Sequence, residues 1–124
     1  MTYLGHKIIK VEYNDLTENA VAEFDIRDEV VIKKYDKANK FFAMEVSRKI
    51  TFDPRSNFDL YVLFEVACNA EFDEYKKFKN DYSALTDISF SAISILISNI
   101  TSASGNPVVT PPLLTKNNSV TIQK

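Results

Sequence analysis

The residues able to carry reaction chemistry are few in this chain and stand far apart. His6 is the single histidine, Cys68 the single cysteine, and Gly5 and Gly105 the only glycines. A histidine-based triad or a multi-histidine metal site needs partners that one subunit does not possess. Two distant glycines cannot form the glycine-rich loop that cradles a phosphate. Glu71, Asp73 and Glu74 cluster, but without the glycine and the twelfth-position glutamate of a calcium loop, so they read as a charged connection. Cys68 lies in an apolar row, where a thiol acts as a small buried hydrophobe. These residues point away from an enzyme and require no metal and no cofactor.

The elements that would position any functional surface are written more plainly. From Phe58 to Phe72 every second residue is apolar, namely Phe58, Leu60, Val62, Phe64, Val66, Cys68, Ala70 and Phe72. A period of two is that of a strand with one face in the core, and Tyr61, Leu63 and Ala67 interrupt the polar character of the other face. Upstream, Phe42, Met44, Val46, Ile50 and Phe52 share one parity that only Arg48 breaks, and Asp53 to Asn57 supplies turn chemistry between the two runs. The pair reads as a long hairpin. Its second strand would reach about 50 Å if straight, so a bend or bulge is expected.

Ahead of it, Ile9, Val11 and Tyr13 alternate with Lys10 and Glu12 as a first strand, and a second runs from about Val21 towards Tyr35 with a bulge expected at Asp28-Glu29. Their short connections favour antiparallel pairing. Phe72, Tyr75, Phe78 and Tyr82 follow at helical spacing, reading either as a cap on the end of the sheet or as a ligand surface. From Ile88 to Ala103 a polar stripe of Ser91, Ser94, Ser98 and Thr101 opposes an apolar arc, which predicts a helix capped by Thr86 or Asp87 and ended at Gly105. The arc is wider than one sheet face covers, so Ile93, Leu96, Ile97 and Ile100 are expected at an interface with another subunit. Asn106 to Leu114 must be extended, because Pro107, Pro111 and Pro112 withhold backbone donors. The tail is polar and mobile in character, although Val120 to Ile122 could pair or dock.

At 124 residues the chain suits a single domain, read here as 1–114 with a polar tail over 115–124. Its formal net charge of -2, with signs interspersed, argues against nucleic acid as a main partner. The stretch Ile88 to Ile100 falls short of the ~20 residues that span a bilayer, so no membrane insertion is expected. Met1 to His6 lacks the pattern of a signal peptide, which makes a cytoplasmic setting the default.

The segment from Ile88 through Leu114 resembles the SecB family of protein-export chaperones. Ile88 and Phe90 match that family's apolar lead-in, Ile97 and Thr101 fall in its helix, Ser104-Gly105-Asn106-Pro107 matches the glycine and proline that follow, and Pro111-Pro112-Leu113 matches its extended arm. Tyr75 and Phe78 sit where the family carries apolar residues. Ser91 stands in place of the usual proline and Ser94 in place of the usual arginine, so whatever that arginine secures is absent or replaced. The resemblance implies an α+β fold, a four-stranded antiparallel sheet of long strands packed against a long C-terminal helix. It also implies a homotetramer built as a dimer of dimers that acts as a holdase for unfolded or nascent polypeptides, with an export ATPase as a further partner. Tyr61, Leu63, Tyr75, Phe78 and Tyr82 are then the candidates for client contact, with oligomer core as the competing reading of each. The alternative is a dedicated adaptor or antitoxin-type partner-binding protein on the same fold.

Overall fold

Alternation of period two becomes four long strands in the computed structural model, which describes residues 1–16, 22–80 and 82–123. The strands are β1 (Thr2–Asp15), β2 (Glu23–Ile32), β3 (Phe41–Asp53) and β4 (Phe58–Asn69). The ladders β1 with β4, β4 with β3, and β3 with β2 are all antiparallel. Two helices follow, α1 (Phe72–Asn80) and α2 (Ser83–Ala103), and then β5 (Asn118–Ile122). β5 lies parallel to β2 and completes a sheet of order β1-β4-β3-β2-β5. The expected α+β architecture therefore holds, with a fifth strand drawn from the polar tail. Val21, the expected start of the second strand, lies outside the described residues.

Two expectations are corrected in detail. The β2 to β3 register runs unbroken from Glu23 to Ile32, so no bulge stands at Asp28-Glu29; the parity break there is a buried charge pair. The bulges fall in β1 instead, between Tyr3 and Gly5 and between Ile8 and Lys10. The long helix begins at Ser83, so Thr86 lies inside its first turns and donates its hydroxyl to the carbonyl of Tyr82 at 3.0 Å.

The apolar rows of β2, β3 and β4 form one core face, where Val30, Ile32, Phe42, Met44, Val46, Ile50, Phe58, Val62 and Val66 are fully buried. α2 packs on β3 and β4 through Phe90, Ile93 and Ile97, which are equally buried. Its 21 residues extend about 31 Å at 1.5 Å each. Leu85–Ala103 is in fact long and apolar enough to cross a membrane, which corrects the expectation of a stretch too short to do so. In this fold its hydropathy serves the sheet, since 44% of that window is buried. The polar stripe has a separate use, holding the extended arm 106–114. Ser91 donates to the Pro112 carbonyl at 3.0 Å and Ser94 to that of Thr110 at 2.7 Å, while Thr101 Oγ1 accepts from the Val108 N–H at 2.9 Å. Gly105 ends the helix in the left-handed conformation expected of it, with φ of 83°.

α1 owes its start to Glu74, whose carboxylate accepts from the Glu71 N–H at 3.0 Å, and its acidic first and basic last turns suit the helix dipole. Tyr75 and Phe78 point inward, while Phe72 at the helix start stays 39% exposed. Tyr75 stacks on Tyr35 at 5.0 Å, Phe78 meets Phe42 at 5.2 Å, and the Tyr75 hydroxyl donates to the Lys33 carbonyl at 2.9 Å.

Candidate functional site, an uncovered apolar strip beside the long helix

Residues opposite one another in an antiparallel ladder share a face. On β4 the core-facing row Cys68, Val66, Phe64, Val62, Leu60 is paired with Tyr3, His6, Ile8, Val11 and Tyr13 of β1. Steps of two on β4 thus meet steps of three, two, three and two on β1, and the surplus residues Leu4 and Ile9 are the bulges. Each bulge absorbs one residue and keeps the row in phase. Gly5, beside the first, takes φ of 140°, a conformation that a side chain would strain.

Among the described residues no helix covers Ile8 and Val11 of this row. α2 lies on β3 and β4, and the arm runs along its β2 side, where the serine stripe bonds it. At 100° per residue, Ala92, Leu96 and Ile100 fall on the flank of α2 opposite that stripe and so face the β1 side of the sheet. The result is a trough with a β1 floor and a helical wall. Ile8 and Val11 in its floor are 53% and 39% exposed although they point to the core side of the sheet. Ile88 and Ile95 lie on the side of α2 that points away from the sheet, with Ile95 65% exposed. His6 is part of the floor, within β1, stacked on Phe64 at 5.0 Å and bonded to the Tyr3 hydroxyl. At the far end the Tyr13 ring stacks on Phe58 at 5.2 Å, and its hydroxyl is buried without a partner among the described residues.

The expected site residues separate. Tyr75 and Phe78 are buried under the sheet and offer no surface to a client; burial also pushes the Tyr75 hydroxyl above its ordinary pKa. Tyr61 and Leu63 lie half-buried on the opposite face of the sheet from the trough, paired with Glu12 and Lys49 and with Lys10 and Ser47. That face is charged, with Lys33 paired to Glu45 at 3.0 Å and Lys7 to Glu65 at 3.8 Å. Tyr82 is half-buried against the core just ahead of α2. Of the expected interface residues, Ile93 and Ile97 are spent on the chain's own sheet, while Leu96 and Ile100 are partly buried in the trough wall. Sequence reasoning missed the β1 strip, for which the signal was the surplus of apolar residues at Leu4, Ile8 and Ile9.

It also passed over the meaning of Arg48. This side chain, fully buried, donates from Nε to Asp28 Oδ1 at 2.7 Å and from Nη2 to Oδ2 at 2.9 Å. It further donates to Thr110 Oγ1 at 3.0 Å and to the carbonyls of Pro111 at 2.6 Å and Leu113 at 2.9 Å, and its guanidinium lies 5.0 Å from the Phe90 ring centroid. Asp28 in turn accepts from the N–H and hydroxyl of Thr115 at 2.9 and 2.8 Å. In this chain the arm is therefore anchored from the sheet, with Ser94 as a helper from the helix. Cys68 is buried, and burial pushes its thiol up to about 11, which keeps it protonated at neutral pH. Among the described residues no group of three or more His, Cys, Asp or Glu side chains is placed to hold a metal ion.

No family model and no curated protein matches this chain in sequence. Its fold is similar to that of a Mycobacterium tuberculosis SecB-like chaperone solved in complex with a ChAD peptide from the HigA1 antitoxin. The TM-score is 0.70 and the identity 10%, over 90% of this chain and 86% of that one. It is also similar to a protein of unknown function from Streptococcus agalactiae, with a TM-score of 0.52 and 11% identity over 89% of this chain and 95% of that one. Long antiparallel strands, a C-terminal helix across them and a proline-rich arm pinned beside it make this chain SecB-like in fold.

Proposed function

We propose that this chain binds polypeptides as a chaperone, holding apolar segments of unfolded or nascent chains in the trough between β1 and α2. The observation that carries the reading is the exposure of Ile8 and Val11 on the core side of an edge strand. An uncovered apolar row beside a strand edge takes both parts of an unfolded chain, its apolar side chains and its unpaired backbone, without reading sequence. The similarity to a chaperone solved with an antitoxin peptide supports polypeptide as the ligand class. In the same reading the chain assembles as a homotetramer, a dimer of dimers, in the cytoplasm, and an export ATPase is a partner of the clients' onward route.

The test is light scattering of a refolding, aggregation-prone protein with increasing amounts of this one, with the mass of the same preparation recorded. Suppression at roughly one oligomer per client is expected. A well-folded oligomer that suppresses nothing contradicts general holding. The antitoxin peptide in the similar chaperone favours a second reading, a dedicated partner. Protection confined to one co-purifying polypeptide would select it.

A further inference from the structure

β5 is an unusual closing strand. It has five residues, pairs among the described residues only with β2, and is exposed except at Val120, which is half-buried against the core. Its pairing runs from Asp28-Asn118 to Ile32-Ile122, flanked by the Asp28 N–H donating to the Asn117 carbonyl at 3.1 Å and the Gln123 N–H donating to the Ile32 carbonyl at 2.8 Å. The recognition is almost wholly main-chain, with Val120 and Ile122 set beside Val30 and Ile32 on the core face. Such pairing is sequence-tolerant, and another strand can replace it.

Two features favour replacement over permanence. The first is an open stretch alongside. β2 begins at Glu23, but β5 covers it only from Asp28, so among the described residues no strand pairs with the far side of Glu23–Arg27. There Phe24, 42% exposed, and half-buried Ile26 continue the core-facing row, and Asn117 Nδ2 donates to the Ile26 carbonyl at 3.0 Å. The second is the tether. Arg48 and Asp28 pin the arm as far as Thr115, so β5 can leave the edge while its root stays fixed three residues away.

We propose that the β2 edge is an acceptor for an extended polypeptide segment with branched apolar residues two apart, and that β5 is its self-supplied occupant, displaced from the Phe24–Ile26 end. The inference rests on the polypeptide-binding reading and adds a restraint to it. A strand on a short tether acts at an effective concentration of about millimolar, so an external segment competes poorly until β5 is loosened.

The probe is a fluorescent peptide, Lys-Asn-Asn-Ser-Val-Thr-Ile-Gln, copying residues 116–123. Its anisotropy is titrated with the full chain and with two full-length variants, Val120→Asp/Ile122→Asp, which removes the apolar contacts, and Thr121→Pro, which removes a backbone donor. Each variant is expected to bind at least tenfold more tightly than the parent, with faster hydrogen exchange at the Asp28 amide. Equal affinity for parent and variants, or unchanged Asp28 protection in both variants, overturns the proposal. If parent and variants suppress client aggregation alike with no gain in peptide affinity, this proposal fails and the polypeptide-binding reading stands. If the peptide binds the released edges tightly while no unfolded client is held, the β2 edge is an acceptor and general holding fails.

Discussion

Arg48 and Asp28 meet as a fork, two parallel hydrogen bonds of 2.7 and 2.9 Å between fully buried side chains on neighbouring strands. The guanidinium spends its remaining donors on Thr110, Pro111 and Leu113, so one residue ties two strands to the arm beyond the helix. Every donor of a buried guanidinium needs an acceptor, and here the arm's carbonyls supply what Asp28 does not. Arg48→Met leaves the buried Asp28 carboxylate without its countercharge and should cost about 3–5 kcal/mol. The double change Arg48→Met/Asp28→Leu should cost no more than Arg48→Met alone, because it leaves no charge behind. Urea denaturation of the three chains measures this.

The trough and the core make opposite predictions for apolar residues. Tyr75→Ala should destabilise by about 3–5 kcal/mol, because the ring is enclosed by Tyr35 and Phe42. Ile8→Asp should cost under about 1 kcal/mol, because the side chain already faces water. Its effect belongs in client holding, which should fall severalfold while the denaturation midpoint barely moves.

Cys68 gives a pH dependence with a definite sign. Burial raises its thiol to about 11, whereas the unfolded chain releases that proton near 9. Between these values the unfolded state binds fewer protons than the native state, so stability falls as pH rises from about 9 to 11. Cys68→Ala should flatten that limb. In the native protein at pH 8 the thiol should resist a disulfide reagent, and it should react at once in denaturant.

Asp36 supplies the acid counterpart. Hydrogen bonds from the Asn39 side chain, then from the backbone N–H groups of Asn39 and Ala38, hold its carboxyl below its ordinary value. A lowered carboxyl contributes stability above the unfolded pKa and loses it as pH falls through the native one. Asp36→Asn should therefore narrow the drop in denaturation midpoint between pH 5 and pH 3.

Much of the fold was legible because β3 and β4 alternate almost without fault, and periodicity is a local property. What escaped is long-range. Arg48 stood out as a break in an apolar row, but its partner Asp28 sits on another strand, and no spacing along one segment names it. The floor of the trough was hidden by its bulges. Steps of three, two, three and two on β1 defeat a strict alternation count, and only pairing with β4 reveals one row. Tyr75 and Phe78 illustrate the converse, since aromatics at helical spacing suit an exposed surface and a buried cap equally until the sheet end they close against is known. The segment Asn118–Ile122 was too short for its pattern to declare a strand, and its pairing is made by the edge it finds.

The most direct test of the trough places a photo-crosslinking side chain at position 8 in one preparation and at position 63 in another, on opposite faces of the sheet, and irradiates each with a denatured client. Client adducts should form from position 8, with few from position 63. Equal adducts from both faces, or adducts confined to position 63, would contradict a client site in the trough.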